Sequence, residues 1–535
     1  MYDLVITNGR VFDGKGNPWF WGEIGVKDGR IQAVARIRPG EAGALSQNGA
    51  PVLDAGGHAV SPGFIDMHSH SDYPLLVNPT ADSKIMQGVT MEVVGQCGGS
   101  VAPVTPTSLP LLKVGRKGMP ETEWDWRSFG QYLDRVQSQG VAVNVVALVG
   151  HGTIRMGVMG YDRRAPSKEE FEQMRRMVRD AVSEGAYGLS TGLIYAPGSY
   201  ADTEEITGFA QECSDAGGLY FTHLRAEGEK VLSAIEEALE VGRRARIPVQ
   251  IAHLKAFGLA RGRGADVLAL LARARSEGVD VTADQYPYAA SSTGLAAFLP
   301  SWVHEGGREK MVERLADPSL RPRIKADMLT GHPDWANDFR VPWTEVQVSK
   351  CEDQSLEGRR IQEIAGSVGK DPWVLVFDLL SIVDAGTSVV IHGMDEADVE
   401  LIMRSEMVTV GSDGSALNPV GPLGQGQPHP RNYGTMPRVL ARYVREKKVL
   451  TLPEAIRKMT SAQAARLGLR DRGEIREGCW ADIVVFDPER IKDMATFERP
   501  HQFPQGIEWV MVNGVVAVRD GRHTGALAGK VLRKA

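Results

Sequence analysis

The sequence predicts an α/β protein: a (β/α)8 TIM-like barrel, a β-sandwich built from both chain ends, and a small insertion domain after the seventh barrel strand. Short apolar runs alternate eight times with helix-period segments through the middle of the chain, as parallel barrels require. Both ends carry hairpin signatures instead. One interval, about Pro287 to Glu406, is too long for a single crossover.

Residues 1–60 read as the N-terminal part of the sandwich. Leu4-Val5-Ile6-Thr7 runs to Asn8-Gly9, and Ile24-Gly25-Val26-Lys27 turns at Asp28-Gly29 into Ile31–Ala35. Asn-Gly and Asp-Gly signal tight hairpins because both central positions favour φ > 0. Residues 471–535 repeat the pattern, with Ala481–Phe486, then Val510–Val512, the turn Asn513-Gly514, and Val515–Val518.

Residues 61–470 supply the barrel. Its candidate strands are the run before His68, then Val89–Cys97, Val141–Val149, Ala186–Ser190, Leu219–His223, Val249–His253, Val279–Asp284 and Met407–Asp413. Between them, Ser167 and Glu170 form a capping box ahead of Phe171, Met174, Val178 and Ala181 at helical spacing, and Val231, Ile235, Ala238 and Leu239 repeat the period. A doubly wound open sheet is the alternative, but no Gly-rich nucleotide loop opens its first helix. The long interval contains Trp302, Trp335 and Trp343, and its first part, about 288–343, reads as a lid-like insertion at the face where barrel loops build sites.

Composition narrows the function. An apolar fraction of 42% and a charged fraction of 24% are ordinary for a globular protein. A net charge of −6 and a pI near 6.1 leave no basic field for nucleic acid. No apolar stretch is long enough to span a membrane, and the N-terminus has no signal-peptide pattern. Four scattered cysteines, Cys97, Cys213, Cys351 and Cys479, form no disulfide framework, so the expected location is cytoplasmic. Nothing in the pattern signals an oligomeric state.

Chemistry-bearing residues gather at the carboxyl ends of the candidate strands. His68 and His70 are two residues apart, so on a strand both imidazoles share a face, roughly 6 to 7 Å apart. Cys97, His223, His253 and Asp413 follow later strands, and each is a competent zinc ligand. Singly, each has an ordinary reading: Cys97 as a buried hydrophobe, the histidines as satisfied barrel residues, Asp413 as a helix cap. Together, in a chain with only 12 histidines, they point to a metal site.

The chain resembles the amidohydrolase superfamily, and within it the D-aminoacylases, or N-acyl-D-amino-acid deacylases. The resemblance rests on Thr7-Asn8-Gly9-Arg10-Val11-Phe12-Asp13-Gly14, Pro62-Gly63-Phe64-Ile65-Asp66-Met67-His68-Ser69-His70, Thr222-His223-Leu224-Arg225, Ala252-His253-Leu254-Lys255, Gly411-Ser412-Asp413-Gly414 and Ala481–Phe486. Most two-metal relatives bridge their metals with a carbamylated lysine after strand 4, whereas this chain has Tyr187-Gly188-Leu189-Ser190-Thr191-Gly192 there. Gly95-Gln96-Cys97-Gly98 instead looks like the D-aminoacylase substitution of a thiolate.

The resemblance implies a tightly held zinc on Cys97, His223 and His253, with a weaker second site on His68, His70 and Asp413. Three N/S ligands leave a fourth position open, as in catalytic zinc sites. It implies Asp413 as the group that takes a proton from water and returns it to the leaving amine. Lys255 lies two residues past His253, on the same face if the strand continues, and a buried ammonium there needs an anion. With Tyr195, Tyr286 and Arg431, the family reading makes it a carboxylate or carbonyl binder; His151 receives no role.

Three functions remain open: a zinc amidase acting on small-molecule N-acyl-D-amino acids, a cyclic-amide hydrolase (hydantoinase or dihydroorotase-like) or D-dipeptidase on the same scaffold, and a catalytically silent metal-binding protein. Thiolate with imidazole suits zinc but also cobalt or nickel. Phe298, Leu299 and Trp302 in the insertion lean toward hydrophobic amino-acid side chains.

Overall fold

Eight short parallel strands form the barrel in the computed structural model, which describes residues 1–41, 43–115, 119–330, 340–382 and 386–534. They are strand 1 (Phe64–Asp66), strand 2 (Val89–Val94), strand 3 (Asn144–Ala147, resuming at Val149–Gly150), strand 4 (Gly188–Gly192), strand 5 (Leu219–His223), strand 6 (Val249–Ile251), strand 7 (Val281–Gln285) and strand 8 (Val408–Val410). Pairing is sequential, from Asp66↔Glu92 between the first two to Gln285↔Val410 between the last two. A parallel bridge Ser69↔Gly414 and the Asp413 N–H bond to the His68 carbonyl (2.8 Å) join strand 8 to strand 1. That closure sets the candidate residues on one rim.

The helix over Lys168–Ser183 starts as its capping box requires: Ser167 Oγ accepts from Glu170 N–H (3.2 Å) and Glu170 Oε2 from Ser167 N–H (2.7 Å). Met174, Val178 and Ala181 are buried on its inner face. Most strands are shorter than their apolar runs. Strand 2 stops at Val94, strand 6 at Ile251 and strand 8 at Val410, each before the residue that carries chemistry.

The two chain ends do pack together, as one nine-stranded sheet in which Ala59–Pro62 lies between Leu4–Val11 and Ile483–Phe486. Ile31 N–H donates to the Cys479 carbonyl and Gly478 N–H to the Ile31 carbonyl, both at 2.8 Å, so the far strand returns to the C-terminal segment. Ile6, Ile24, Ile31, Ile483 and Met511 share one core inside this wrap. The final strand departs from expectation: Val531–Leu532 pairs with Val145–Val146 of barrel strand 3.

The insertion also runs further than 343. Its antiparallel sheet orders Ser291–Gly294, Ser388–Ile391 and Val346–Lys350, so its central strand comes last in sequence. Four residues are too few to display a period, which hid that strand from the pattern. Helix Glu396–Arg404 then returns the chain to strand 8. Trp335 lies outside the described residues.

Candidate metal centre

Three of the predicted residues sit in a backbone conformation that side-chain-bearing residues rarely adopt. Cys97 has φ = 53°, His253 34° and Asp413 51°. Such left-handed positions cost of order 1–3 kcal/mol each and concentrate at functional sites. Here each follows a strand end and turns its side chain toward the barrel axis, so strand alternation does not govern where these groups point. His68 and His70 likewise lie beyond Asp66, with ring centroids 5.3 Å apart.

Close backbone approach holds the thiol in place. Gly98, at φ = 73°, packs on Gly192: a Cβ on the first would fall 2.7 Å from the Gly192 nitrogen, and one on the second 2.0 Å from the Cys97 carbonyl oxygen. Neither contact tolerates a side chain, so strand 4 and the Cys97 loop meet only because both are glycine.

The side chains converge. Cys97 Sγ is 3.4 Å from both His68 Nε2 and His253 Nε2. Asp413 Oδ1 is 3.0 Å from His70 Nε2 and 3.6 Å from His68 Nε2. Ligand atoms of His68, Cys97, His253 and Asp413 all lie within 4.8 Å of one another, as do those of His223, Glu227 and His253. His223 packs edge-on to His253 (4.4 Å between rings), yet neither of its ring nitrogens, buried in the site, has a hydrogen-bond partner.

Charge is arranged to suit a cation. Burial favours the neutral thiol, but His68 and His253 outweigh it and hold Cys97 well below the usual thiol range. Burial also opposes ionisation of Asp413, and Arg431, whose Nη1 is 2.8 Å from Oδ2, reverses this with His253 and keeps the carboxyl well below its ordinary value. His70 rises to about 9 against burial, through Asp413 and Cys97.

A cavity of about 540 Å³ opens above the cluster, in the usual range for small-molecule sites. His70, Cys97, His223, His253, Asp413, Lys255, Tyr195, Tyr286 and Arg431 all line it, while His68 lies fully buried beneath. Tyr195 OH bonds to Thr293 Oγ1 of the inserted sheet (2.9 Å), and the Arg431 guanidinium lies 4.9 Å from the Tyr286 ring.

Two expectations need correction. Strand 6 ends at Ile251, so Lys255 is not placed by alternation from His253; it arrives by the left-handed turn, with Nζ 2.8 Å from His253 Nδ1. Its ammonium already meets an anion, Glu227 Oε1, at 2.5 Å. Phe298, Leu299 and Trp302 belong to the hydrophobic core and do not line the cavity, to which the insertion contributes Ser291, Ser292, Thr293, Ser349, Lys350 and Ser388. The basis for a hydrophobic side-chain preference therefore falls away. His151 is also accounted for, since its Nε2 pairs with Glu205 Oε1 (2.9 Å) away from the cluster.

Sequence reasoning missed Glu227, Asp284, Asp66 and Lys84. Asp284 Oδ1 accepts the His253 backbone N–H (2.8 Å) and lies 3.3 Å from His68 Nδ1, so it braces one imidazole and the turn that carries the other. Asp66 takes the Ser412 N–H (2.8 Å) and the Lys84 ammonium (2.7 Å), and Lys84 also donates to the Gly414 carbonyl (3.2 Å). This buried pair ties strand 1 to strand 8 directly under His68 and Asp413.

Comparison with known proteins agrees with this geometry. The amidohydrolase family profile matches residues 51–518. A D-aminoacylase of Alcaligenes xylosoxydans xylosoxydans is 36% identical over 541 residues, covering 100% of this chain and 98% of its own. The chain belongs to the amidohydrolases, in the D-aminoacylase family. Among solved structures, this amidohydrolase is similar to a D-aminoacylase studied for its binuclear metal centre, with one-metal activation and second-metal attenuation (TM-score 0.81, 35% identity, 100% of both chains). It is equally similar to an N-acyl-D-glutamate deacylase from Bordetella bronchiseptica, solved with zinc and a phosphonate mimic of the tetrahedral intermediate (TM-score 0.81, 32% identity, 99% of both chains).

Proposed function

We propose that this amidohydrolase is a zinc-dependent hydrolase of N-acyl-D-amino acids, releasing a carboxylate and a free D-amino acid. One observation carries the reading: a thiol, imidazoles and a carboxylate converge within bonding reach of one ion, on the floor of a cavity that also presents Lys255, Tyr286 and Arg431. The relatives named for D-aminoacylase and N-acyl-D-glutamate deacylase activity support it.

The donor set fits zinc, because a depressed thiol and imidazoles are its preferred ligands and neither His223 nitrogen makes a hydrogen bond, Nε2 standing 3.8 Å from Glu227 Oε1. Cys97, His223 and His253 would hold the working ion, and His68, His70 and Asp413 a weaker second. When bound, zinc supplies a Lewis acid to the scissile amide carbonyl.

The remaining work falls to the chain. Asp413 Oδ1 takes the proton of the attacking water and delivers it to the departing amine, without which an amine leaves poorly. Its low proton affinity at rest keeps it ionised and ready to accept. Lys255, Tyr286 and Arg431 hold the α-carboxylate, and Tyr195 orients the carbonyl. Glu227 restrains Lys255 and His253 together (2.5 and 3.2 Å) and so positions both substrate binder and ligand.

A cyclic-amide hydrolase is the second reading, and strand 4, with no lysine from Gly188 to Gly192, speaks against its usual binuclear form. All four cysteines are free, and among the described residues no helix is long and apolar enough to cross a membrane; we place the enzyme in the cytoplasm. Hydrolysis of a panel of N-acetyl-D- and L-amino acids, run with metal analysis, tests the assignment. Zinc in the protein with turnover of D-isomers alone is expected; turnover of hydantoins but not acyl amino acids would select the alternative.

A further inference from the structure

A second cavity, of about 340 Å³, meets the first at the metal centre. His70, Cys97 and Tyr195 line both. Beyond them, the second cavity is walled by Leu111, Leu112, Met156, Tyr161, Ala196 and Pro197, with Gly98, Gly152 and Gly192 flattening one side. Leu111, Met156, Tyr161 and Ala196 are only half-buried, so apolar surface is left facing this space.

Three of its polar side chains donate elsewhere. Ser100 and Thr153 donate to the carbonyls of Ala102 (2.6 Å) and Ser100 (2.9 Å), and the Gln96 amide donates to the Met67 carbonyl (3.0 Å); Asp72 completes the lining. Neither Lys255 nor Arg431 reaches it. An amide seated over Cys97 therefore has two different sides: a cationic one that suits a carboxylate, and an apolar one that does not.

We infer that the second cavity binds the acyl group, and that it is shaped for apolar acyl chains longer than acetyl. The inference rests on the deacylase reading and adds the class of substrate. A volume of 340 Å³ holds roughly ten water-sized groups at ~30 Å³ each, whereas acetyl brings three heavy atoms. Each further methylene would leave water for the Leu111–Met156 wall, a transfer worth ~0.8 kcal/mol, or about fourfold in kcat/KM.

The test holds the amino acid constant, using whichever D-amino acid is turned over fastest as its N-acetyl derivative, and varies the acyl group from acetyl through butanoyl to hexanoyl. The expected result is a rise of about fourfold in kcat/KM per methylene, abolished by Met156→Trp. Leu111→Trp gives the same reading should Met156→Trp fold poorly, and a thermal melt of each variant separates the two cases. A flat or falling wild-type series, or a rise that survives both substitutions, overturns the acyl assignment while leaving the deacylase reading intact. A shift in amino-acid preference rather than acyl preference in the variants also overturns it. No turnover of any acyl-D-amino acid would remove the deacylase reading and this inference together.

Discussion

His151 and His223 both lie at the carboxyl ends of barrel strands, the first directly after strand 3 and the second as the last residue of strand 5, and both are buried. Their surroundings differ. His151 Nε2 is held by Glu205, which Arg155 also engages within the wall. His223 lies beside Cys97 and His253 with neither nitrogen bonded. Leaving a buried polar atom unpaired costs about 1–3 kcal/mol, so such an arrangement persists where something outside the chain completes it. Residue type and burial are the same in both; a one-residue difference in register, Gly150 level with Ser190 and Phe221 but His223 with Gly192, turns them to opposite faces, His151 against Glu205 and His223 toward Cys97 and His253.

The sharpest way to break this comparison is at the reaction itself. Asp413→Asn keeps the shape of the centre but removes the proton acceptor, and kcat should fall by roughly 10² to 10⁴; measured on folded protein, His151→Gln should leave kcat/KM nearly unchanged. Next comes metal retention. His223→Ala should lose zinc on dialysis and lose activity with it, yet leave the melting temperature of the metal-free protein almost where it was, whereas His151→Ala costs about 1–3 kcal/mol of stability and keeps its zinc. Equal destabilisation by the two would contradict the distinction.

Lys255→Met should lower kcat/KM by about 10- to 100-fold, chiefly through KM, because a charge-assisted bond to the α-carboxylate is worth about 1.5–3 kcal/mol. An unchanged KM would show that Lys255 serves Glu227 alone. The smallest effect concerns acid stability. Burial raises the Glu205 pKa, but His151 and Arg155 more than offset it and the carboxyl titrates below its ordinary 4.5. A group depressed in the folded state binds its proton more readily when unfolded, so its stabilisation is full above about pH 4.5 and is lost as the pH falls below that. Acid unfolding of Glu205→Gln should show a shallower pH dependence in that window.

Much of this was legible in the sequence because a barrel writes itself as alternation. Eight apolar runs located the strands, and the residues ending them located the rim. The metal candidates appeared because each directly follows a run with a clear period. Glu227 did not, since it lies four residues past His223 in a loop where neither a 2- nor a 3.6-residue period holds. Lys84 and Asp66 were hidden for the same kind of reason: their pairing spans 18 residues, from strand 1 to the short helix Asp82–Ile85. The lean toward hydrophobic substrates rested on apolar residues that first serve the insertion's own core, as Phe298 and Trp302 do.

The most direct measurement is to strip the enzyme of metal, return zinc in increments, and follow hydrolysis of paired N-acyl-D- and L-amino acids. Activity on the D-isomer alone, regained with the first equivalent and not regained by Cys97→Ala, is the predicted result. Full hydrolysis by metal-free protein, or by the Cys97→Ala variant, would contradict it.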